Sequence, residues 1–63
     1  MKCDFRQFDD RVEIWGPDDS TGVWFHMATF DEDWDFYTEA LCTVDLDDLE
    51  EIAAWAAQQR RRQ

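Results

Sequence analysis

The run Val23-Trp24-Phe25-His26-Met27-Ala28-Thr29-Phe30 decides the fold. With the two-residue period of a strand, Val23, Phe25, Met27 and Thr29 share one face and Trp24, His26, Ala28 and Phe30 the other. Both faces are largely apolar, which predicts a central strand. Immediately before it, Gly16-Pro17-Asp18-Asp19-Ser20-Thr21-Gly22 is the clearest loop in the chain, because Gly, Pro and Asp each supply turn geometry. Before that loop, Arg11 to Trp15 alternates cleanly, with Val12 and Ile14 on one face. These two runs predict a β-hairpin with a long acidic loop. Further out, Lys2 to Phe8 is a strand candidate in which apolar Cys3 and Phe5 alternate before the pattern slips to Phe8, and Asp9-Asp10 is a turn or bulge candidate.

On the other side of the central run, 31–35 reads as a loop and 36–43 as a strand. Phe36, Thr38, Ala40, Cys42 and Val44 share one strand face, and Thr38, Cys42, Thr43 and Val44 favour the extended chain. The competing helical pattern would put Trp34, Tyr37 and Leu41 on one stripe, with Asp31 as the cap. The last third is a helix. Asp45 is its N-cap and Asp48 its third residue; acids crowd the first turns and Arg60 to Arg62 the far end, complementing the helix dipole. Leu46, Leu49, Ile52, Ala53 and Ala56 form an apolar stripe at helical spacing, with Asp47, Glu50 and Glu51 opposite it. The expected fold class is α+β: a small antiparallel sheet of three to four strands with one C-terminal helix packed on one face.

Length and charge bound the function. A chain of 63 residues is one compact domain, 1–63, and folding hides only about 60% of its surface. Hydrophobic residues are 44% and aromatic residues 16%, enough to fold despite a formal net charge of −10. No apolar run approaches the length of a membrane span, and MKCDFRQFDD lacks the apolar stretch of a signal peptide, so a cytoplasmic location is expected. Cys3 and Cys42 form no CxxC pair; reduced, partly buried thiols are the expectation, with a disulfide between them as the minor alternative.

Catalysis has little to work with. His26 is the only histidine and Ser20 the only serine; a lone histidine in an apolar strand is usually structural, and nothing in the spacing supports a Cys42–His26 nucleophile and base. No catalytic residue, cofactor or metal is therefore expected. Asp31-Glu32-Asp33-Trp34-Asp35 resembles the start of a calcium loop, but Phe36 and Cys42 stand where an EF-hand requires Gly and Glu.

The acids make better sense as a surface. Lys and Arg are absent between Val12 and Gln59, a stretch that holds 13 of the 16 acids. No ion pair is expected between two residues of that stretch, so any ion pair must draw on the two ends of the chain. Nucleic acid and anionic membranes are repelled, and a basic protein surface is the natural partner. Three groups are candidates for its contact: Asp18 and Asp19 in the hairpin loop; Asp31, Glu32, Asp33 and Asp35 around Trp34, which reads either as an exposed anchor or as a side chain turned into the core with the loop; and Asp47, Glu50 and Glu51 on the outer helix face. Merged into a stripe, they would imitate the phosphate field of duplex DNA at lower density.

In length, acidity and aromatic content, with these acid groups at 18–19, 31–35 and 45–51, the chain resembles the small acidic anti-CRISPR proteins of phages. The resemblance implies a non-catalytic inhibitor in the bacterial host cell. It would cover the basic site where a Cas subunit reads the PAM or holds target DNA. Separately, a monomer is expected rather than a dimer. The three C-terminal arginines depart from a pure DNA mimic. Rival classes are an acidic inhibitor of a restriction enzyme or nuclease, an antitoxin for a basic toxin, and a small enzyme or metal protein.

Overall fold

A computed structural model of the chain describes residues 3–18, 20–39 and 44–61. Four strands, β1 (Asp4–Gln7), β2 (Arg11–Pro17), β3 (Trp24–Asp31) and β4 (Phe36–Thr38), precede one helix, α1 (Leu46–Arg61). The strands form one antiparallel sheet in chain order, so the expected α+β architecture is present. The expected strand over 36–43 is seen at Phe36–Thr38; residues 40–43, with Cys42 and its proposed pairing, lie outside the described residues. No helix is long and apolar enough to cross a membrane among the described residues.

The central strand carries a bulge that the sequence pattern hides. Ile14 pairs with Ala28 but Trp15 with His26, which leaves Met27 as an extra residue on β3. A bulge of this kind turns two successive side chains to the same side. Met27 and Ala28 are both buried in the core, whereas His26 reaches Thr29 on the other face. The alternation expected from Val23 to Phe30 therefore breaks at Met27: His26 joins Thr29 rather than Ala28, and Met27 parts from Thr29. The carbonyl of Met27 accepts from the backbone N–H of Glu39 at 2.9 Å, so the bulge leaves no gap in the hydrogen bonding towards β4.

Helix α1 covers one face of the sheet. Ile52 and Ala56 bury against Cys3, Ile14, Met27, Ala28 and Phe30, and Ile14 is fully inaccessible. Trp55 stacks on Phe5 with ring centroids 4.4 Å apart and planes 5° apart, and its ring lies 6.3 Å from that of Trp34. The buried side of the helix is turned by about one residue, roughly 100°, from the expected stripe. Asp48 is buried and Glu51 half-buried, while Leu46 is 71% exposed, Leu49 38% exposed and Ala53 exposed. The large apolar area of Trp55 explains the rotation, because burying an indole outweighs burying a second leucine. The Asp45 cap is as expected: its Oδ1 accepts from the Asp48 N–H at 2.9 Å.

Candidate binding surface

The sheet separates the acid groups that the sequence places near one another. The loop holding Asp18 precedes β3 and the turn holding Asp31 to Asp35 follows it, so they occupy opposite ends of an eight-residue strand. At strand rise the separation is about 23 Å. Towards the helix start, Glu51 lies against Cys3; further along, Trp55 meets Trp34, and Arg60 lines a groove with Phe30 and Phe36. The helix thus leads from the Asp18 side, with Asp47 and Glu50, towards the Asp31–Asp35 turn. The single stripe expected from the sequence is instead two acidic ends.

Each expected group also contains an acid engaged in building the fold. Asp18 Oδ1 accepts from the N–H groups of Ser20 at 2.8 Å and Thr21 at 3.0 Å. These bonds favour the charged form and hold the Asp18 carboxyl below its ordinary value, Ser20 contributing most. Asp31 Oδ1 accepts from the N–H groups of Asp33 and Asp35, both at 2.9 Å. Glu51, expected on the outer helix face, turns inward, and its Oε2 accepts the N–H of Cys3 at 3.0 Å. Asp19 lies outside the described residues.

Of the two readings of Trp34, the inward one is present and the exposed anchor is not. The Asp31 N–H donates to Asp35 O and the Trp34 N–H to Asp31 O, both at 3.0 Å, closing the three-residue loop Glu32-Asp33-Trp34. Loops of this length place their last residue in the left-handed region, where glycine is usual. Here Trp34 takes it, at φ 66°. Its ring packs 5.4 Å from that of Phe30 and is half-buried. Contact with Phe30 and Trp55 offsets a backbone cost of about 1 kcal/mol or more.

What remains on the surface is a cap at the end of the sheet. Glu32, Asp33 and Asp35 are exposed, and ligand oxygens of Asp31, Asp33 and Asp35 lie within 4.8 Å of one another. The β1–β2 turn brings Asp9 and Asp10 to the same end, because Arg11 pairs with Asp31 across the sheet. A shallow depression there is lined by both turns. Asp9 and Asp10 were absent from the expected contact, although an antiparallel pairing of the two turns would have placed them there. Arg11 partly balances this end, donating to Asp10 at 2.7 Å and to Glu13 at 2.9 Å. Both bonds, Glu13's more than Asp10's, raise the guanidinium above its ordinary range. At the other end, Asp47 and Glu50 are exposed on the helix.

The sheet face away from the helix carries a polar network that the sequence does not announce. The Trp15 indole N–H donates to Glu13 Oε1 at 3.1 Å, the main reason that this carboxyl sits below its ordinary value; Arg11 adds to the effect. Trp15 stacks on His26 at 5.4 Å, and the Arg6 guanidinium lies 4.1 Å from its ring centroid. His26 Nε2 is 3.0 Å from Ala28 O and 2.9 Å from Thr29 Oγ1. A carbonyl only accepts, so Nε2 carries the proton and acts as a donor there. Thr29 in turn donates to Glu39 Oε1 at 3.2 Å. His26 lies 3.6 Å from the same carboxylate, an ion pair when the ring is protonated, and one inside the stretch that lacks Lys and Arg. The bulge makes this network possible, since a regular strand would send His26 and Thr29 to opposite faces.

No family model, curated protein or solved structure matches the chain.

Proposed function

We propose that the chain is a non-catalytic inhibitor of the anti-CRISPR kind, acting in the bacterial host cell. Its acidic surface imitates the DNA backbone and occupies the basic site where a Cas subunit of a CRISPR surveillance complex reads the PAM or holds target DNA. The observation that carries this proposal is the acidic cap, where exposed Glu32, Asp33 and Asp35 adjoin the turn of Asp9 and Asp10. Asp47 and Glu50 add a second acidic end. The separation of about 23 Å between the ends of β3 corresponds to about seven base pairs along one DNA strand. A partner groove built for phosphates would meet charge at both ends of such a span, with association steered by the field and weakened by salt.

The test is a gel-shift of target DNA by purified surveillance complexes, with and without the protein. Loss of the DNA shift at stoichiometric inhibitor supports the proposal. DNA binding unchanged across complexes of the major CRISPR types overturns it.

A further inference from the structure

The rotation of α1 leaves one flank of the helix without cover. Leu46, Leu49, Ala53 and Ala57 are exposed along it, and between this flank and the sheet lies an open apolar groove of about 310 Å³ that includes Phe36. These four apolar positions form an exposed strip in line on one helix.

The charges beside the flank indicate what it contacts. Glu50 precedes Ala53 by three residues and Arg60 follows Ala57 by three. The order acid–Ala–Ala–base therefore has the same spacing from either end, with opposite charges at its two ends. Among the described residues no ion pair engages Glu50, Arg60 or Arg61. We propose that the flank binds a second copy of the chain, the two helices antiparallel about a two-fold axis at the level of Trp55. That axis sets Ala53 of one copy against Ala57 of the other, and Glu50 against Arg60, twice over. An isologous contact requires such self-complementarity. The small alanines at its centre let the helix axes approach to about 8 Å, the near limit for packed helices. Leu49 closes one side of the contact. The like charge of the two copies opposes association, but at physiological salt its reach is only about 8 Å. The residues of this contact include none of Asp9, Asp10, Glu32, Asp33 and Asp35, while Glu50 belongs both to it and to the second acidic end.

Sedimentation equilibrium over a rising concentration series tests this. The weight-average mass is expected to climb from 7.6 kDa towards twice that value. Ala53→Glu, at an exposed position, should hold the protein at the monomer mass. Glu50→Arg and Arg60→Glu each set like charges across the axis and should weaken the dimer about tenfold. The double variant E50R/R60E recreates both pairs with their signs exchanged and should restore it. Circular dichroism establishes that each variant is folded before it is weighed. A monomer at every concentration overturns the proposal. So does a dimer that the two single reversals leave unchanged, or one that the double reversal fails to restore.

Discussion

Met27 Sδ lies where a β-carbon on Gly16 would stand. Gly16 pairs with Phe25, two residues before the bulge at Met27, and Met27 is 3% exposed. Gly16→Ala must displace the buried Met27 thioether. It should destabilise the fold by about 1–3 kcal/mol, the usual cost of overpacking a core. Urea unfolding followed by tryptophan fluorescence measures it. A variant as stable as the parent would show that Met27 moves aside freely.

Trp34 holds a left-handed backbone through its packing against Phe30 and Trp55. Removing the ring by Trp34→Ala loses the packing and keeps the strained backbone. Trp34→Gly loses the same packing but relieves the backbone. The glycine variant should therefore be the more stable of the two by about 1 kcal/mol. The reverse order in thermal melts would count against the turn described for Asp31 to Asp35.

Asp18 ties the β2–β3 loop through two backbone N–H groups, and its carboxyl is held below its ordinary value. A group with a lowered folded-state pKa contributes stability above its unfolded pKa and loses it as the pH falls through the folded value. The difference in urea midpoint between the parent and Asp18→Ala should be widest near neutral pH. It should shrink below about pH 4. A difference that stays constant through the acid range contradicts the assignment.

Charge reversal must spare the acids that build turns. Converting Glu32, Asp33 and Asp35 to Lys while keeping Asp31 reverses the cap and leaves both hydrogen bonds to Asp31 Oδ1 available. This triple variant should lose inhibition of DNA binding far more than Asp47→Lys with Glu50→Lys. The readout is the gel-shift titration, with circular dichroism as the folding control. Equal losses would argue against a contact centred on the cap.

Much of this was legible in the residues. The alternation of Val12 and Ile14 and the Asp45 cap each rest on local chemistry, and each appears where expected. The loop expected over Gly16–Gly22 instead begins two residues later, because Gly16 and Pro17 pair with Phe25 and Trp24 at the end of β2. The bulge was not legible, because a run apolar on both faces gives no signal when one residue drops out of register. Nor was the left-handed backbone of Trp34, since glycine is the residue that marks such a turn. The acids misled for a related reason. Counting carboxylates does not separate Asp18 and Asp31, which hold backbone N–H groups, from Glu32 and Asp33, which face solvent. The buried helix face was not legible either, because Leu46 and Leu49 lie on the apolar stripe and Trp55 at its flank.

The extra residue at Met27 adds a core side chain to β3 without changing how its neighbours face. Deletion of that one residue would leave Ala28 and His26 paired in succession with Ile14 and Trp15, a regular strand on which His26 and Thr29 stand two apart and still share a face. Deletion of a residue on either side of the bulge has the same arithmetic only if Met27 takes the vacated place, which withdraws its side chain from the core. The segment thus holds one residue more than its pairing needs, and that residue serves packing.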